Sequence, residues 1–385
     1  MTLQISPTPL HDELHIGIMS GTSMDGIDAV IASFNSDGKP SFIAHTAHEF
    51  TSELKQQLMD LQTPGMNELH REALAGNALA VAYANLVKDL LAHSGLKHQD
   101  IRAIGAHGQT IRHQPGIHDE YGYTLQTLNA SLLAELTDID VIADFRSRDI
   151  AAKGQGAPLV PAFHAAQFGS HSSHRAILNI GGIANLTLLP KTSQEVIGFD
   201  CGPGNVLLDL WINRHLQQSF DKDGAWGRSG DLIPELLEIL LDETYLSLAP
   251  PKSTGRDLFN ESWLMNKLAG FENHPPQNIQ TTLTHYTVRA IVLHMKTYQN
   301  HCDELFVCGG GVRNQFLMSA LKELLKLELP QVTLASTDLL DIDPQTVEAL
   351  AFAWLSWAFC HDICANLPAV TGALGPRLLG ARYPR

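Results

Sequence analysis

Two segments of this chain share one design, and no other feature restricts its folding as much. The first, "LHIGIMSGTSMDGIDAVIASFN", runs from an apolar stretch through a Gly/Ser/Thr/Asp turn into "IDAVIASF". The second, "HRAILNIGGIANLTLLP", does the same around Gly181-Gly182. β-rich runs flanking a short turn, with glycine where positive φ is cheap, read as β-hairpins. One opens each half of the chain, which hints at an internal duplication without a strict repeat. Around them strand-like and helix-like stretches alternate, as expected for an α/β class. "GNALAVAYANLVKDLLAHSG" predicts a helix between Gly76 and Gly95. "DIRAIGAHGQT" reads as a short strand running into a loop, and "DELFVCGGGVRNQFLMSALKELL" as strand, glycine turn and helix.

A chain of 385 residues exceeds the size at which single cores stop growing, so two domains are expected. Gly and Pro cluster in "AAKGQGAPLVPAF", which sets the boundary: 1–165 and 166–345, with 345–385 completing the first domain. "TVEALAFAWLSWAFCH" is apolar on nearly every helical face and belongs between domains or in a subunit contact, so a homodimer is a candidate. A net charge of −15 with no basic cluster argues against nucleic acid, whose affinity comes from Lys and Arg on phosphates. No apolar run is long enough to span a membrane, and the N-terminus lacks a secretory pattern. The five cysteines form no C-x-x-C pair, and the histidines match no zinc spacing. A cytoplasmic enzyme is the expectation, with the first fourteen residues a short extension.

Four constellations carry chemistry. Gly21 to Gly26 has P-loop spacing, but Ile27 and Asp28 stand where Lys and Ser/Thr belong, and the alternation of Ile27, Ala29 and Ile31 leads into a strand. The tip is either an ordinary turn or a clamp offering Thr22, Ser23 and backbone N–H groups to an anion. In "GFDCGPGNVLLD", Asp200 is expected at a strand end, beside Gly202 and Gly204 and an Asn205 that could cap the next helix. A carboxylate so placed suits general-base work or metal contact, or is simply a capped turn. Gly309, Gly310 and Gly311, followed by Asn314, allow a flat group to lie on the backbone, or make a tight turn. They lack the third glycine of a dinucleotide fingerprint. His107, Gln109, Asp144, Arg146, Arg148, Asp149 and Gln155 form a polar set suited to a polyhydroxyl or anionic molecule, or to a structural ion-pair network. "PPKSTGRDLFN" adds Lys252, Ser253, Thr254 and Arg256 on a loop without P-loop glycines.

Together these pieces resemble the sugar kinase, heat-shock chaperone and actin superfamily. Within it, "GIMSGTSMDGIDAV", "AHGQT", "ADFRSRDIAAKGQGAPLVP", "NIGGIANLT", "GFDCGPGN", "PPKSTGRDLFN" and "CGGGVRN" resemble the 1,6-anhydro-N-acetylmuramic acid kinases, from about His15 onward. The resemblance implies an actin-like ATPase fold, a duplicated ribonuclease H-like unit with a cleft between its two domains. It implies phosphorylation of 1,6-anhydro-N-acetylmuramate by ATP and Mg²⁺, with hydrolysis of the anhydro bond. Gly21, Thr22, Ser23, Met24, Asp25, Gly26, Ile27 and Asp28 would form the phosphate tip, with Gly202, Gly204 and Asn205 opposite. Asp200 would be the catalytic base and, through water, the metal contact. Gly309, Gly310, Gly311 and Asn314 would face the adenosine; His107, Gln109, Asp144, Arg146 and Glu348 the sugar. One departure is Met19, where superfamily members place an Asp, so that residue's metal-side role must move to Asp200 or to water. A kinase for another small molecule, or an ATP-switching protein without catalysis, is the alternative, since fold alone does not set function.

Overall fold

The computed structural model describes residues 12–21, 24, 26–192, 195–298 and 302–385. Thirteen strands run through them: β1 Glu13–Met19, β2 Gly26–Phe34, β3 Pro40–Glu49, β4 Ile101–Ala106, β5 Gln109–Pro115, β6 Gly122–Thr127 and β7 Val141–Ala143 in the first part of the chain. β8 Arg175–Ile180, β9 Ile183–Leu189, β10 Ile197–Pro203, β11 Glu304–Cys308, β12 Thr333–Ser336 and β13 Ala381–Tyr383 follow.

Both hairpins form. β1 pairs antiparallel with β2, ending at Met19 opposite Asp28, and β8 pairs with β9, ending at Ile180 opposite Ala184. Each hairpin extends into the same topology. One sheet has the order β13-β7-β4-β1-β2-β3 and the other β10-β9-β8-β11-β12. In each, three antiparallel strands are followed by two parallel to the first: β4 on β1 and β7 on β4, then β11 on β8 and β12 on β11. The duplication suspected from two hairpins therefore extends over five strands on each side.

Three packed clusters hold the chain together. One joins the second sheet to the helices Val206–Leu216 and Pro276–Thr297, and another joins the first sheet to the helix Glu68–Ser94. The third lies between the sheets: Val30, Ala103 and Ile142 from one, and Ile177, Leu189 and Phe306 from the other, meet the helix Val347–Cys360. Its apolar residues on every face are thereby buried within the chain, which leaves the homodimer expectation without the helix that suggested it. The helix lies directly on backbone. A Cβ on Gly17 would stand 1.9 Å from the Ala349 carbonyl, and one on Gly105 2.0 Å from that of Phe352.

Three local expectations need correction. The helix expected after Gly76 spans Glu68–Ser94, with Gly76 inside it because the Leu128–Asn129 backbone crosses there; the Asn129 N–H donates to the Gly76 carbonyl. Its end at Gly95, with φ of 72°, is as expected. "HGQT" is not the start of a loop, since Gln109 opens β5, which pairs with β6. Asp200 is not at a strand end. It lies inside β10, where the register with β9 shifts between Asp200 and Gly202.

Candidate active site

The hairpin tips are pinned by different segments. Thr22, Ser23 and Asp25 lie outside the described residues, but the base of the first tip is well defined. Met24 N–H donates to the Gly21 carbonyl, closing a turn. The stretch after β4 then grips the tip: His107 N–H donates to the Ile18 carbonyl, His107 Nδ1 lies 3.3 Å from the Ser20 carbonyl, and Gln109 Nε2 donates to that of Gly21. The Ser20 hydroxyl in turn bonds Tyr83 and the Gly108 carbonyl. Gln109, which the resemblance puts on the sugar side, is wholly buried and its amide holds the tip from behind; among the described residues its Oε1 has no partner.

The second tip, Gly181-Gly182, is held from β10. Gly204 and Val206 N–H groups donate to the Gly182 carbonyl, and Asn205 N–H to that of Gly181. Asn205 does not cap its helix with its side chain; the amide donates instead to the carbonyls of Ile180 and Gly181. Glycine is required at position 204, where a Cβ would meet the Gly181 oxygen at 2.4 Å.

Asp200 is strongly perturbed by its surroundings. Burial pushes its carboxyl up to about 7, although the Thr254 N–H, Arg146 and Lys252 all favour the anion. The "PPKSTGRD" loop holds it: Thr254 N–H donates to Oδ2 at 2.9 Å, and the Asp200 N–H points at the Lys252 carbonyl. A carboxyl with pKa near neutrality can alternate between proton acceptor and donor, which is the property a general base needs.

Arg146 faces Asp200 across the gap between the sheets. It follows β7, is half-buried, and feels the carboxylates of Asp200, Glu348 and Asp149; loss of solvent around it lowers it to about 10, so it stays charged. Its Nη1 donates to the Gly156 carbonyl, and Nε and Nη2 point at His107 Nε2. His107, depressed to about 3 by burial and by Arg146, is neutral and accepts there while its Nδ1–H faces Ser20. One histidine thus ties the cation to the first hairpin tip. Glu348, at the start of the Val347–Cys360 helix, accepts from Asn179 Nδ2 at 3.0 Å, and burial raises its pKa. Asn179 was not among the sequence candidates. A lone polar residue in the apolar "AILNIGG" run was the available signal, and its Oδ1 is buried with no partner among the described residues.

The Asp and Arg groups of "ADFRSRD" do different things: Arg146 points at His107, while the two aspartates are held locally. Asp144 accepts from Ser147, and Asp149 is a structural anchor, taking the Gly156 N–H, Asn366 and Thr371. On the other side, the glycine triplet turns β11 through Gly310–Arg313 into the helix Gln315–Glu328, which Asn314 caps by accepting from Leu317 N–H. A Cβ on Gly310 would meet nothing within 4 Å, so that backbone face is open to a flat ligand. Met19 leaves no carboxylate at the end of β1; the nearest in register is Asp28, bonded to His45.

Two sheets of one topology, each opening on a glycine-tipped hairpin, with Asp200 inside β10 coupled electrostatically to Arg146 after β7, make the duplicated α/β arrangement expected of an actin-like ATPase fold. A family model described as anhydro-N-acetylmuramic acid kinase matches residues 13–385. The anhydro-N-acetylmuramic acid kinase of Burkholderia ambifaria is 49% identical over 384 residues, 99% of this chain and 100% of its own. That of Cupriavidus pinatubonensis is 50% identical over 373 residues, 96% and 98%. Among solved structures, (R)-2-hydroxyglutaryl-CoA dehydratase component A of Acidaminococcus fermentans covers 89% of this chain and 96% of its own, at 16% identity and a TM-score of 0.44, a distant likeness only.

The chain belongs to the anhydro-N-acetylmuramic acid kinase family. It is a kinase that converts 1,6-anhydro-N-acetylmuramate, ATP and water to N-acetylmuramate 6-phosphate and ADP, in peptidoglycan recycling. The alternatives, another sugar or an ATP switch without catalysis, gain no support. Among the described residues no helix is long and apolar enough to cross a membrane.

Proposed function

We propose that Asp200 is the base that activates water for opening the anhydro ring. The observation that carries this is a buried carboxyl pushed up to about 7, held at Oδ2 by one backbone N–H. Asp200 takes a proton as the water oxygen bonds to the anomeric carbon. The bond from that carbon to the bridging O6 breaks, O6 bonds to the γ-phosphorus, and the bond to the ADP oxygen breaks. One ring opening therefore supplies the nucleophile for the transfer, and general-base catalysis contributes on the order of 10²–10⁴-fold. Orientation of sugar and ATP between the sheets supplies the remainder.

The hairpin tip at 21–28, with Gly202, Gly204 and Asn205 opposite, would hold phosphates through backbone N–H groups not already bonded within the protein, and the glycine turn at 309–311 with Asn314 would face the adenosine. Arg146, His107, Glu348 and Asp144 are assigned to the sugar side. The donor set fits Mg²⁺ only sparsely: the described residues contain no cluster of three His, Cys, Asp or Glu able to hold a metal. Magnesium with few protein ligands is the usual arrangement on nucleotide phosphates, so Asp200 is proposed to reach it through water. Bound there, the ion would neutralise phosphate charge. We assign residues 1–165 and 166–345 to two domains, the helix at 347–360 belonging with the first, and the cytoplasm as the compartment.

Reaction in ¹⁸O-water tests the sequence of steps. Label is expected at the anomeric hydroxyl of the product and none in its phosphate. An unlabelled anomeric oxygen would overturn water attack at that carbon.

A further inference from the structure

Asp200 is held from behind by a buried cation that the reaction scheme does not use. Lys252 follows the Pro250-Pro251 pair and is 6% exposed. Its ammonium donates to the carbonyls of Tyr245 at 3.1 Å and Leu246 at 3.4 Å, and to His294 Nε2 at 2.8 Å. An ammonium has three N–H donors, and all three are used. His294 is fitted to the task. Its Nδ1–H donates to the Ala290 carbonyl, leaving Nε2 as an acceptor, and burial beside Lys252 depresses it to about 4, so it is neutral. The rings of Tyr245 and Phe199 lie 4.6 and 5.8 Å from Nζ, offering their faces to the charge.

This cage is joined to Asp200 at three points. Tyr245 donates its hydroxyl to the Asp200 carbonyl at 2.9 Å. The Asp200 N–H points at the carbonyl of Lys252 itself, and Thr254, two residues on, supplies the N–H to Oδ2. The same short loop therefore fixes the backbone and the carboxylate, and the ammonium closes the loop on itself through the Tyr245 and Leu246 carbonyls.

We propose that Lys252 is a positioning residue for the reaction: its caged ammonium locks the 245–254 loop so that the Asp200 carboxylate is fixed and its anion favoured. This rests on Asp200 being the base. A neutral or flexible loop would leave the carboxylate buried, with less to stabilise its ionised form. The charged and titratable groups facing Asp200 are Arg146 from beyond β7, Lys252 and Asp257 from the loop, Tyr245 from the turn before it, and Cys201 beside it; His294 faces Lys252 from the Pro276–Thr297 helix. Arg146 and Lys252 favour the anion and Asp257 opposes it.

Lys252→Met keeps the length of the side chain and removes the charge. Turnover should fall about tenfold or more, with the KM values for ATP and sugar little changed, and the acid limb of the kcat/KM profile should move to higher pH. Tyr245→Phe removes only the hydroxyl to the Asp200 carbonyl and should lower kcat while leaving the acid limb in place. His294→Gln, which can still accept from the ammonium, should work better than His294→Leu. If Lys252→Met does not fold, the last three variants decide the matter, and equal activity of all of them with the native enzyme overturns the proposal. A folded Lys252→Met with an unmoved acid limb overturns it too. Asp200→Asn separates the two readings: if that variant retains turnover the base assignment is wrong, whereas loss there with indifference at 245, 252 and 294 overturns only this inference.

Discussion

β3 and β10 hold the same place in the two sheets, third in an antiparallel run, yet they differ in almost everything that matters for chemistry. β3 is an outer strand whose residues are exposed or half-buried along its whole length. β10 is buried from Gly198 onward, under the 245–254 loop and the Pro276–Thr297 helix. A carboxylate on β3 such as Glu49 sits in water, while on β10 the same chemical group at Asp200 is pushed up to about 7. Duplication supplied two equivalent frames, and what was laid over one of them made a base. The central strands differ as well. β1 and β4 carry Gly17 and Gly105 and let a helix rest on their backbone, whereas β8 and β11 present Ile177 and Phe306 to the same interior.

The largest expected effect breaks the comparison at its chemical end. Asp200→Asn is isosteric, can still accept from Thr254 N–H, and should reduce turnover by about 10²–10⁴-fold. ATP binding, followed by calorimetry, should persist. Near-native turnover would remove Asp200 from the mechanism and leave the burial of β10 without a catalytic purpose.

Next comes the contact that distinguishes the central strands. In Gly105→Ala the new methyl collides with the Phe352 carbonyl, and helix backbone cannot turn aside as a side chain can. A loss of roughly 1–3 kcal/mol, or more, is expected in denaturant titration. Ala176→Gly on β8, the reverse change on the other sheet, should cost about as much as a modest cavity and backbone entropy require, without moving the helix. Equal tolerance of both changes would show that the helix adapts, and that the glycines of the first sheet are not what seats it.

Much of this frame was legible in the residues, for a definite reason. The hairpins announced themselves because alternation and glycine turns are local, and the Gln315–Glu328 helix because its apolar pattern follows a glycine turn; that Asn314 caps it is a finding of the structure. What escaped was long-range. Nothing local shows that Gln109 would spend its amide on Gly21, that Asn205 would bond the β8–β9 hairpin in place of its own helix, or that Asp149 would anchor Thr371. Asn179 and Tyr245 acquire their roles only when Glu348 and Asp200 arrive from distant parts of the chain. The bulge that holds Asp200 inside β10 is likewise a property of the pairing, not of "GFDCGPG" alone.

A pH series sharpens the comparison at smaller scale. With Asp200 protonated below about 7, kcat/KM of the free enzyme should rise with pH and level off above that value. Stability should move the other way. The folded pKa is raised from 3.8 to about 7, so between those values the native state binds the extra proton, and stability falls as pH rises through that window. Asp200→Asn should abolish this slope and melt higher than the native enzyme above pH 7, a gain in stability paired with loss of activity.

Glu49→Gln on β3 is the quiet counterpart and the smallest effect. Its side chain is exposed, so stability should change by no more than about 0.5 kcal/mol. Neither the slope of stability with pH nor the acid limb of kcat/KM should alter. If Glu49→Gln moved the acid limb as a substitution near Asp200 would, the two third strands would be electrostatically coupled across the molecule. The burial of β10 would then be insufficient as the source of the difference, and the charge of the whole first sheet would have to be counted in the pKa of Asp200.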